Sequence, residues 1–184
     1  MLSKDDILDL FEALNDKLRI QGAMGDIGLC GGAVMCVVFN ARESTRDVDA
    51  IFAPTKIMRQ AAREIALERD LPEDWLNDAA KGFFVSSSPQ VPFREWSNLR
   101  VWALAPEFML AMKCVAARYD TTDADDVRFL VRYLQLKTPE QVFELVSKYY
   151  PNERIPATSQ FFVEELMQTS QDADADQRIE TTDS

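Results

Sequence analysis

Residues 28–52 read GLCGGAVMCVVFNARESTRDVDAIF and carry the strongest structural pattern in the chain. A glycine pair, Gly31-Gly32, is followed by an unbroken apolar segment and then by the alternating acids Asp47 and Asp49. Alternation along a β-strand places residues i and i+2 on one face, so the two carboxylates are expected to project together, with Cα atoms about 6.5–7 Å apart. A helix that opens at the glycines has free N–H groups, which can hold a phosphate. The pattern therefore predicts a phosphate-binding turn beside a pair of carboxylates.

Both features also have a purely structural interpretation. A glycine pair commonly forms a tight strand-to-helix turn, and two acids on an edge strand can simply face solvent. Aspartate is disfavoured in strands, however, and two carboxylates on one face repel each other unless a cation relieves them. Mg²⁺ favours oxygen ligands and usually retains waters and substrate phosphates. Asp47 and Asp49 are therefore the predicted metal ligands, with Mg²⁺ or Mn²⁺ as the cofactor.

The order of glycine pair, apolar helix, short loop and Asp-x-Asp resembles the minimal nucleotidyltransferase superfamily, whose fold is that of the DNA polymerase beta palm. The segment RESTRDVD, residues 42–49, is most similar to the branch with an Arg-x-Ser/Thr-x-Asp-x-Asp signature. That branch includes the abortive-infection nucleotidyltransferase toxins and many uncharacterised bacterial and phage proteins. The later stretch MKCVAARYDTTDADDVRFLVRYL also resembles it, since there a helix carrying a lysine precedes a helix that begins with acids. The resemblance covers roughly residues 26–134.

The resemblance implies an enzyme that moves a nucleoside monophosphate from a nucleoside triphosphate to an acceptor hydroxyl, with Mg²⁺ bound and pyrophosphate leaving. It assigns phosphate binding to Gly31 and Gly32 and further nucleotide contacts to Arg42, Thr45 and Arg46, although the two arginines are equally typical of a solvated loop. The expected acceptor is a tRNA end, a protein side chain or a small molecule such as an aminoglycoside. A toxin of a toxin–antitoxin or phage-defence pair, with a cognate antitoxin as partner, fits by family analogy alone.

Lys113 is the single charge in the apolar run at residues 108–117 and has two interpretations. A lysine in such surroundings usually reaches water or pairs with an acid. The resemblance instead makes it a catalytic charge that stabilises the triphosphate. Of Asp123, Asp125 and Asp126 at the next helix start, capping and the helix dipole account for at least two. By the resemblance, Asp126 is the catalytic candidate, paired with Lys113.

The chain departs from many nucleotidyltransferases because it lacks a third acid on a neighbouring strand. The corresponding strand, residues 99–104, contains none, and nothing marks the nearby Glu95 as a substitute. The related toxin branch also tends to lack that acid. The departure keeps open a second hypothesis, a catalytically silent nucleotidyltransferase-like module that binds a nucleotide or a partner protein.

Composition limits the class of protein further. The chain has 184 residues, 47% of them hydrophobic, and a net charge of −11, which repels nucleic acid unless basic residues cluster on one face. The absence of histidine excludes imidazole-based catalysis and His-ligated zinc. Three cysteines without metal-ligand spacing predict reduced, buried thiols in a cytoplasmic protein. No secretory leader is visible and the longest apolar run is too short for a bilayer, so no membrane partner is expected.

The predicted fold class is α+β, a nucleotidyltransferase palm with a small mixed β-sheet flanked by helices and followed by a helical C-terminal portion. The expected domains are an α/β core at 1–105, a helical portion packed on it at 106–168, and a disordered acidic tail at 169–184. Hydrophobic periodicity predicts helices at about 4–20, 33–39, 55–68, 71–76, 107–118, 123–136, 139–149 and 159–167. It predicts strands at about 26–30, 47–53, 83–86 and 99–104.

Overall fold

The structure, a computed structural model, describes residues 1–84, 88–116, 121–150 and 155–180, with side chains described except at 121–122 and 169–180. The chain divides into two compact units, Met1–Ala105 and Pro106–Ser184. The first contains helices and a mixed five-stranded sheet, and the second is helical. The predicted α+β class is therefore confirmed, while the nucleotidyltransferase palm stays a prediction.

The first unit begins with helix α1, Lys4–Ile20, whose predicted bounds are confirmed. A capping box starts the helix: the Asp6 amide donates to Ser3 Oγ at 3.2 Å, and the Ser3 amide donates to the Asp6 carboxylate at 2.8 Å. The Ser3 hydroxyl, which donates to the Asp6 carboxylate at 2.6 Å, and the Ser3 amide both lower the pKa of Asp6. Apolar residues at helical spacing bury one face of α1, namely Ile7, Leu10, Phe11, Leu14 and Leu18.

The β-structure of the first unit consists of short strands. They are β1 Leu2–Ser3, β2 Gly25–Leu29, β3 Ser44–Thr45, β4 Val48–Ala53, β5 Leu76–Asn77, β6 Gln90–Glu95 and β7 Leu99–Leu104. The five-stranded sheet has the order β5-β4-β2-β7-β6, and β1 pairs separately with β3. In the sheet, β2 is antiparallel to β4 and parallel to β7, β5 is parallel to β4, and β6 is antiparallel to β7. The central strand β2 therefore lies between β4 and β7.

Helices cover one face of this sheet. A Cβ added at Gly25 of β2 would lie 2.7 Å from Leu18 of α1 and 2.9 Å from Met58 of helix α3, Thr55–Arg69. The residues that share this face are almost fully buried: Ile27, Leu29, Val48, Ala50, Val101 and Ala103. Since side chains alternate along each strand, the opposite face carries Asp49. Helix α2, Gly31–Val37, follows β2 and starts at the glycine pair.

Two sequence-based assignments in this unit are wrong. Residues 71–76, predicted as a helix, form a turn closed by the Trp75 amide on the Pro72 carbonyl at 3.1 Å, and Leu76 then pairs with β4. The strand predicted at 83–86 does not begin at Phe83, because Phe83 is the last residue of a 3₁₀ helix, Ala79–Phe83. Residues 85–87 lie outside the described residues. The edge strand lies instead at Gln90–Glu95. At Leu76 and Asn77, pairing with β4 overrides the local pattern.

The second unit consists of helices α4 Pro106–Ala116, α5 Thr121–Tyr133, α6 Pro139–Tyr149 and α7 Ala157–Glu180. The predicted bounds of α6 are confirmed, and Thr138 and Gln141 form its capping box. Phe108 of α4 meets Tyr149 edge to face at 5.0 Å. α7 does not end near residue 167, because no glycine or proline follows to stop it; disorder of the segment from 169 onward stays a prediction. None of the helices in the described ranges has the length and apolar content to cross a bilayer.

Candidate functional site

Strand β4 places Asp49 on the face of the sheet opposite the helices. Val48 and Ala50 are fully buried, whereas Asp49 between them is half-buried. This is the outcome of strand alternation, because neighbouring side chains point to opposite faces. The sequence-predicted orientation of Asp49 is confirmed.

The prediction that Asp47 begins the strand is wrong: β4 begins at Val48, and Asp47 lies in the bend before it, so strand alternation does not orient its side chain. Asn77 of β5 does, since its Nδ2 donates to Asp47 Oδ2 at 3.0 Å. Asn77 is also the register partner of Asp49 across the parallel β4–β5 pair. Register partners carry their side chains on the same face of a sheet. Asn77 therefore holds the Asp47 carboxylate on the side of the sheet that it shares with Asp49.

The glycine turn leaves no room for a side chain beside the Asp49 carboxylate. Gly31 has φ +60°, in the left-handed region, and a Cβ at this position would lie 2.7 Å from Asp49 Oδ2. Only glycine satisfies both the conformation and the close approach. The preceding Cys30 amide donates to the Asp49 carbonyl at 3.0 Å, and its thiol does so at 3.3 Å. The first residue of α2 and the second residue of β4 are thus held side by side.

Gly32 faces the loop that precedes the acids. A Cβ here would lie 2.6 Å from Thr45 Oγ1 and 3.1 Å from Arg42 Nη1. Thr45 is buried in β3, where it pairs with Leu2, whereas Arg46 is exposed. Arg42 and Thr45 therefore lie beside Gly32, and Arg46 is on the loop surface; the nucleotide contacts of all three stay a prediction.

The charge of Arg42 acts on the neighbouring helix as well. Burial raises the pKa of the Cys36 thiol in α2, and the charges of Lys4 and Arg42 oppose that effect. All three cysteines, Cys30, Cys36 and Cys114, are buried and none forms a disulfide. The predicted buried thiols are thus confirmed.

At the end near Asp49, strand β7 carries apolar side chains on the Asp49 face and adds no third acid there. Trp102 pairs with Gly28 and lies on the Asp49 face, and Leu104, two residues on, shares that face; both are buried. Glu95 pairs with Arg100, which in turn pairs with Asp26, three residues before the end of β2. At about 3.3 Å per residue, this lies roughly 10 Å along the sheet from the Asp49 end. The register therefore excludes Glu95 as a substitute acid.

Lys113 and Asp126 belong to the second unit and form a buried ion pair there. Lys113 Nζ lies 2.6 Å from Asp126 Oδ2 and 2.7 Å from Asp123 Oδ1. The side chains of Lys113 and Asp126 are only 8% and 2% exposed. Charges this deeply buried need partners, and the cluster supplies them within α4 and α5. The predicted pairing of Lys113 with Asp126 is confirmed, and Asp123 is a further partner that sequence reasoning assigned only to helix capping.

The chemical capacity of the first-unit site follows from its donors. Among the described residues, no group of three or more His, Cys, Asp and Glu side chains is arranged to hold a metal ion. Two carboxylates beside a glycine turn can still hold a cation that takes its other oxygen ligands from phosphate and water.

Comparison of the chain with protein-family models, curated proteins and solved structures gives no match in any of the three. The residue that the sequence did not indicate is Asn77, which directly follows the wrongly predicted helix at 71–76.

Proposed function

We propose that this protein is a Mg²⁺-dependent nucleotidyltransferase that moves a nucleoside monophosphate from a nucleoside triphosphate to an acceptor hydroxyl. The observation that carries the proposal is the close approach of the Gly31 backbone to the Asp49 carboxylate, where an added Cβ would lie 2.7 Å from Oδ2. It joins a turn with phosphate-binding backbone to an acid suited to the cation that accompanies a triphosphate. The resemblance of residues 28–52 to the minimal nucleotidyltransferases supports the same assignment.

In this proposal Asp47 and Asp49 hold Mg²⁺ or Mn²⁺ as oxygen ligands. When bound, the cation supplies positive charge that offsets the charge of the triphosphate. The amides of Gly31 and Gly32, with the side chains of Arg42 and Thr45, orient the phosphates, and Arg46 is kept as a more peripheral contact. The acceptor oxygen forms a bond to the α-phosphorus, the bond to the β-phosphate oxygen breaks, and pyrophosphate leaves. The acceptor proton passes to one of the two carboxylates.

The acceptor is a tRNA end, a protein side chain or a small molecule. A net charge of −11 disfavours a long nucleic acid, because an acidic surface repels phosphate. The buried cysteines without disulfides fit a cytoplasmic setting. A toxin with a cognate antitoxin is the biological role that the family resemblance favours.

Lys113 and Asp126 are assigned to catalysis by the resemblance alone. Within the second unit, Lys113 already contacts two carboxylates, so its charge is compensated there. We retain both residues as proposed catalytic residues. Replacing Lys113 by methionine tests this assignment in the transfer assay below, provided that the variant is compared at a temperature where it remains folded.

Thermal stabilisation by nucleotide tests the binding site. Wild-type protein is expected to gain thermal stability with at least one of ATP, CTP, GTP and UTP when Mg²⁺ is present, because a ligand that binds only the folded state stabilises it. Asp49→Asn is expected to lose that gain. Asp26→Asn is the matched control, since Asp26 is a half-buried acid on the same sheet face that bonds Trp102 and Arg100 instead. Equal gains in wild type and Asp49→Asn would contradict the site.

A second candidate is a catalytically silent module that binds a nucleotide or a partner protein. The buried Trp102 and Leu104 on β7, where a third acid is common, favour it. Incubation with triphosphates labelled at the α-phosphate, together with total RNA and cell lysate, separates the two candidates. Label transferred to RNA, protein or a small molecule supports the enzyme. If a nucleotide stabilises the protein but none of the four triphosphates gives transfer of label, the result supports the silent module.

A further inference from the structure

We propose that Asn77 is a positioning residue that fixes the Asp47 carboxylate for binding of the metal–nucleotide complex. This inference rests on the proposed function, because it assigns the reason why Asp47 is oriented. Asn77 is separated from Asp47 by 30 positions in sequence and contacts it through a side-chain hydrogen bond of 3.0 Å. No local sequence motif connects the two residues.

The orientation of the Asn77 amide is determined by its three partners. Its Nδ2 donates to Asp47 Oδ2 at 3.0 Å and to the Asp74 carbonyl at 3.5 Å, and its Oδ1 accepts from the Ala79 amide at 3.0 Å. A carboxylate and a carbonyl can only accept and a backbone N–H can only donate, so a flipped amide would turn all three contacts into repulsions. The amide therefore presents its N–H to Asp47 in a single way.

The segment that carries Asn77 is anchored on both sides. The Val48 amide donates to the Trp75 carbonyl at 2.7 Å, and the buried Trp75 indole donates to the Ala62 carbonyl at 3.0 Å. On the other side, Arg59 Nη2 contacts both carboxylate oxygens of Asp78, at 3.0 and 2.8 Å. These contacts tie the segment to β4 and to α3. A donor held this firmly can restrict the rotation of a carboxylate that no strand pairing orients.

The hydrogen bond also distinguishes the two oxygens of Asp47. Within the described part of the chain, Asn77 is the side chain that binds this carboxylate, and it engages Oδ2. Oδ1 is then the oxygen presented to a cation. Groups that orient a metal ligand in this way contribute strongly to affinity, and their removal typically lowers metal affinity about 10- to 100-fold.

Binding of Mn²⁺ in the presence of each nucleoside triphosphate, followed by electron paramagnetic resonance, tests the inference. Asn77→Ala removes all three side-chain hydrogen bonds. Asn77→Ser is the second variant: its hydroxyl can still accept from the Ala79 amide, as in an ST turn, but is too short to reach Asp47. Asn98→Ala is the matched control, because Asn98 is a half-buried asparagine of the same unit whose Nδ2 donates to the Ala23 carbonyl at 3.0 Å.

Both Asn77 variants are expected to bind Mn²⁺ about tenfold more weakly and to change the spectrum of the bound ion, since the ligand field at the metal changes. Asn98→Ala is expected to match wild type in both measurements. Unchanged affinity and spectrum in a folded Asn77 variant would overturn the inference while leaving the proposed function intact. Equal weakening in Asn98→Ala would also overturn it, because the effect would then be general destabilisation. Absence of Mn²⁺–nucleotide binding in wild type would refute the proposed function itself.

Discussion

Replacing Gly31 by alanine introduces one methyl group into the contact between the glycine turn and Asp49. The left-handed backbone at φ +60° costs a non-glycine residue about 1–2 kcal/mol. The added Cβ would also lie 2.7 Å from Asp49 Oδ2, so that the carboxylate or the turn must move. Overpacking of this kind costs about 1–3 kcal/mol. We therefore expect Gly31→Ala to lower the free energy of unfolding by about 2–5 kcal/mol.

Gly22 provides the control that separates these two effects. It has nearly the same backbone conformation, φ +63°, but nothing lies within 4 Å of its added Cβ. Gly22→Ala should therefore cost only the backbone part, about 1–2 kcal/mol. Urea denaturation of wild type and both variants measures the difference, which reports the displacement of Asp49 alone.

The same pair of variants tests function. In the thermal-shift assay with Mg²⁺ and triphosphate, Gly22→Ala should retain the full stabilisation relative to its own melting temperature, and Gly31→Ala should lose it. The reasoning is refuted if the two variants are equally destabilised, since the methyl group would then not be felt by Asp49. Retained nucleotide binding in Gly31→Ala would show that the glycine turn is a structural feature alone.

Two further predictions concern buried ionisable groups of the second unit. Lys113→Met leaves Asp126 buried without its cation and should lower the free energy of unfolding by about 3–5 kcal/mol, as measured by urea titration. The control Lys148→Met, at an exposed position, should change it by less than about 0.5 kcal/mol. An equally small effect of Lys113→Met would contradict the buried pair. Burial raises the pKa of the Cys114 thiol from 9.0 to about 12. Between these pH values the unfolded thiol releases a proton that the folded one keeps, so stability falls as pH rises, by up to about 1.4 kcal/mol per pH unit. Cys114→Ala should show a shallower decline between pH 9 and 11, and an unchanged slope would contradict the buried neutral thiol.

Elements with complete local signals could be predicted from the sequence. The bounds of α1, α6 and β7 are confirmed, because a capping box and helical periodicity specify each of the two helices and a short apolar run specifies the strand. The orientation of Asp49 also follows from local alternation between buried neighbours. These features depend on interactions between residues close in sequence, and such interactions can be predicted from the amino-acid sequence.

Strands β5 and β6 could not be predicted in this way. Leu76 and Asn77 carry no strand pattern of their own, and they become a strand because β4 offers backbone hydrogen-bonding partners. The edge strand Gln90–Glu95 includes a proline and a register shift, both of which obscure the alternation that identifies strands. β5 forms because of β4, which lies on the far side of α3 in the sequence, whereas β6 pairs with β7, the next strand of the chain.

The candidate site likewise has features that the sequence predicts and features that only the folded structure decides. The residue types and spacing of the glycine pair and the two acids already indicate phosphate and cation chemistry. Only the folded chain brings the Gly31 backbone against Asp49, places Asn77 on Asp47 and encloses Lys113 between two carboxylates. Periodicity reports which face of an element a side chain occupies, whereas contacts across elements depend on strand register and helix packing, which arise when distant segments bury their apolar faces together.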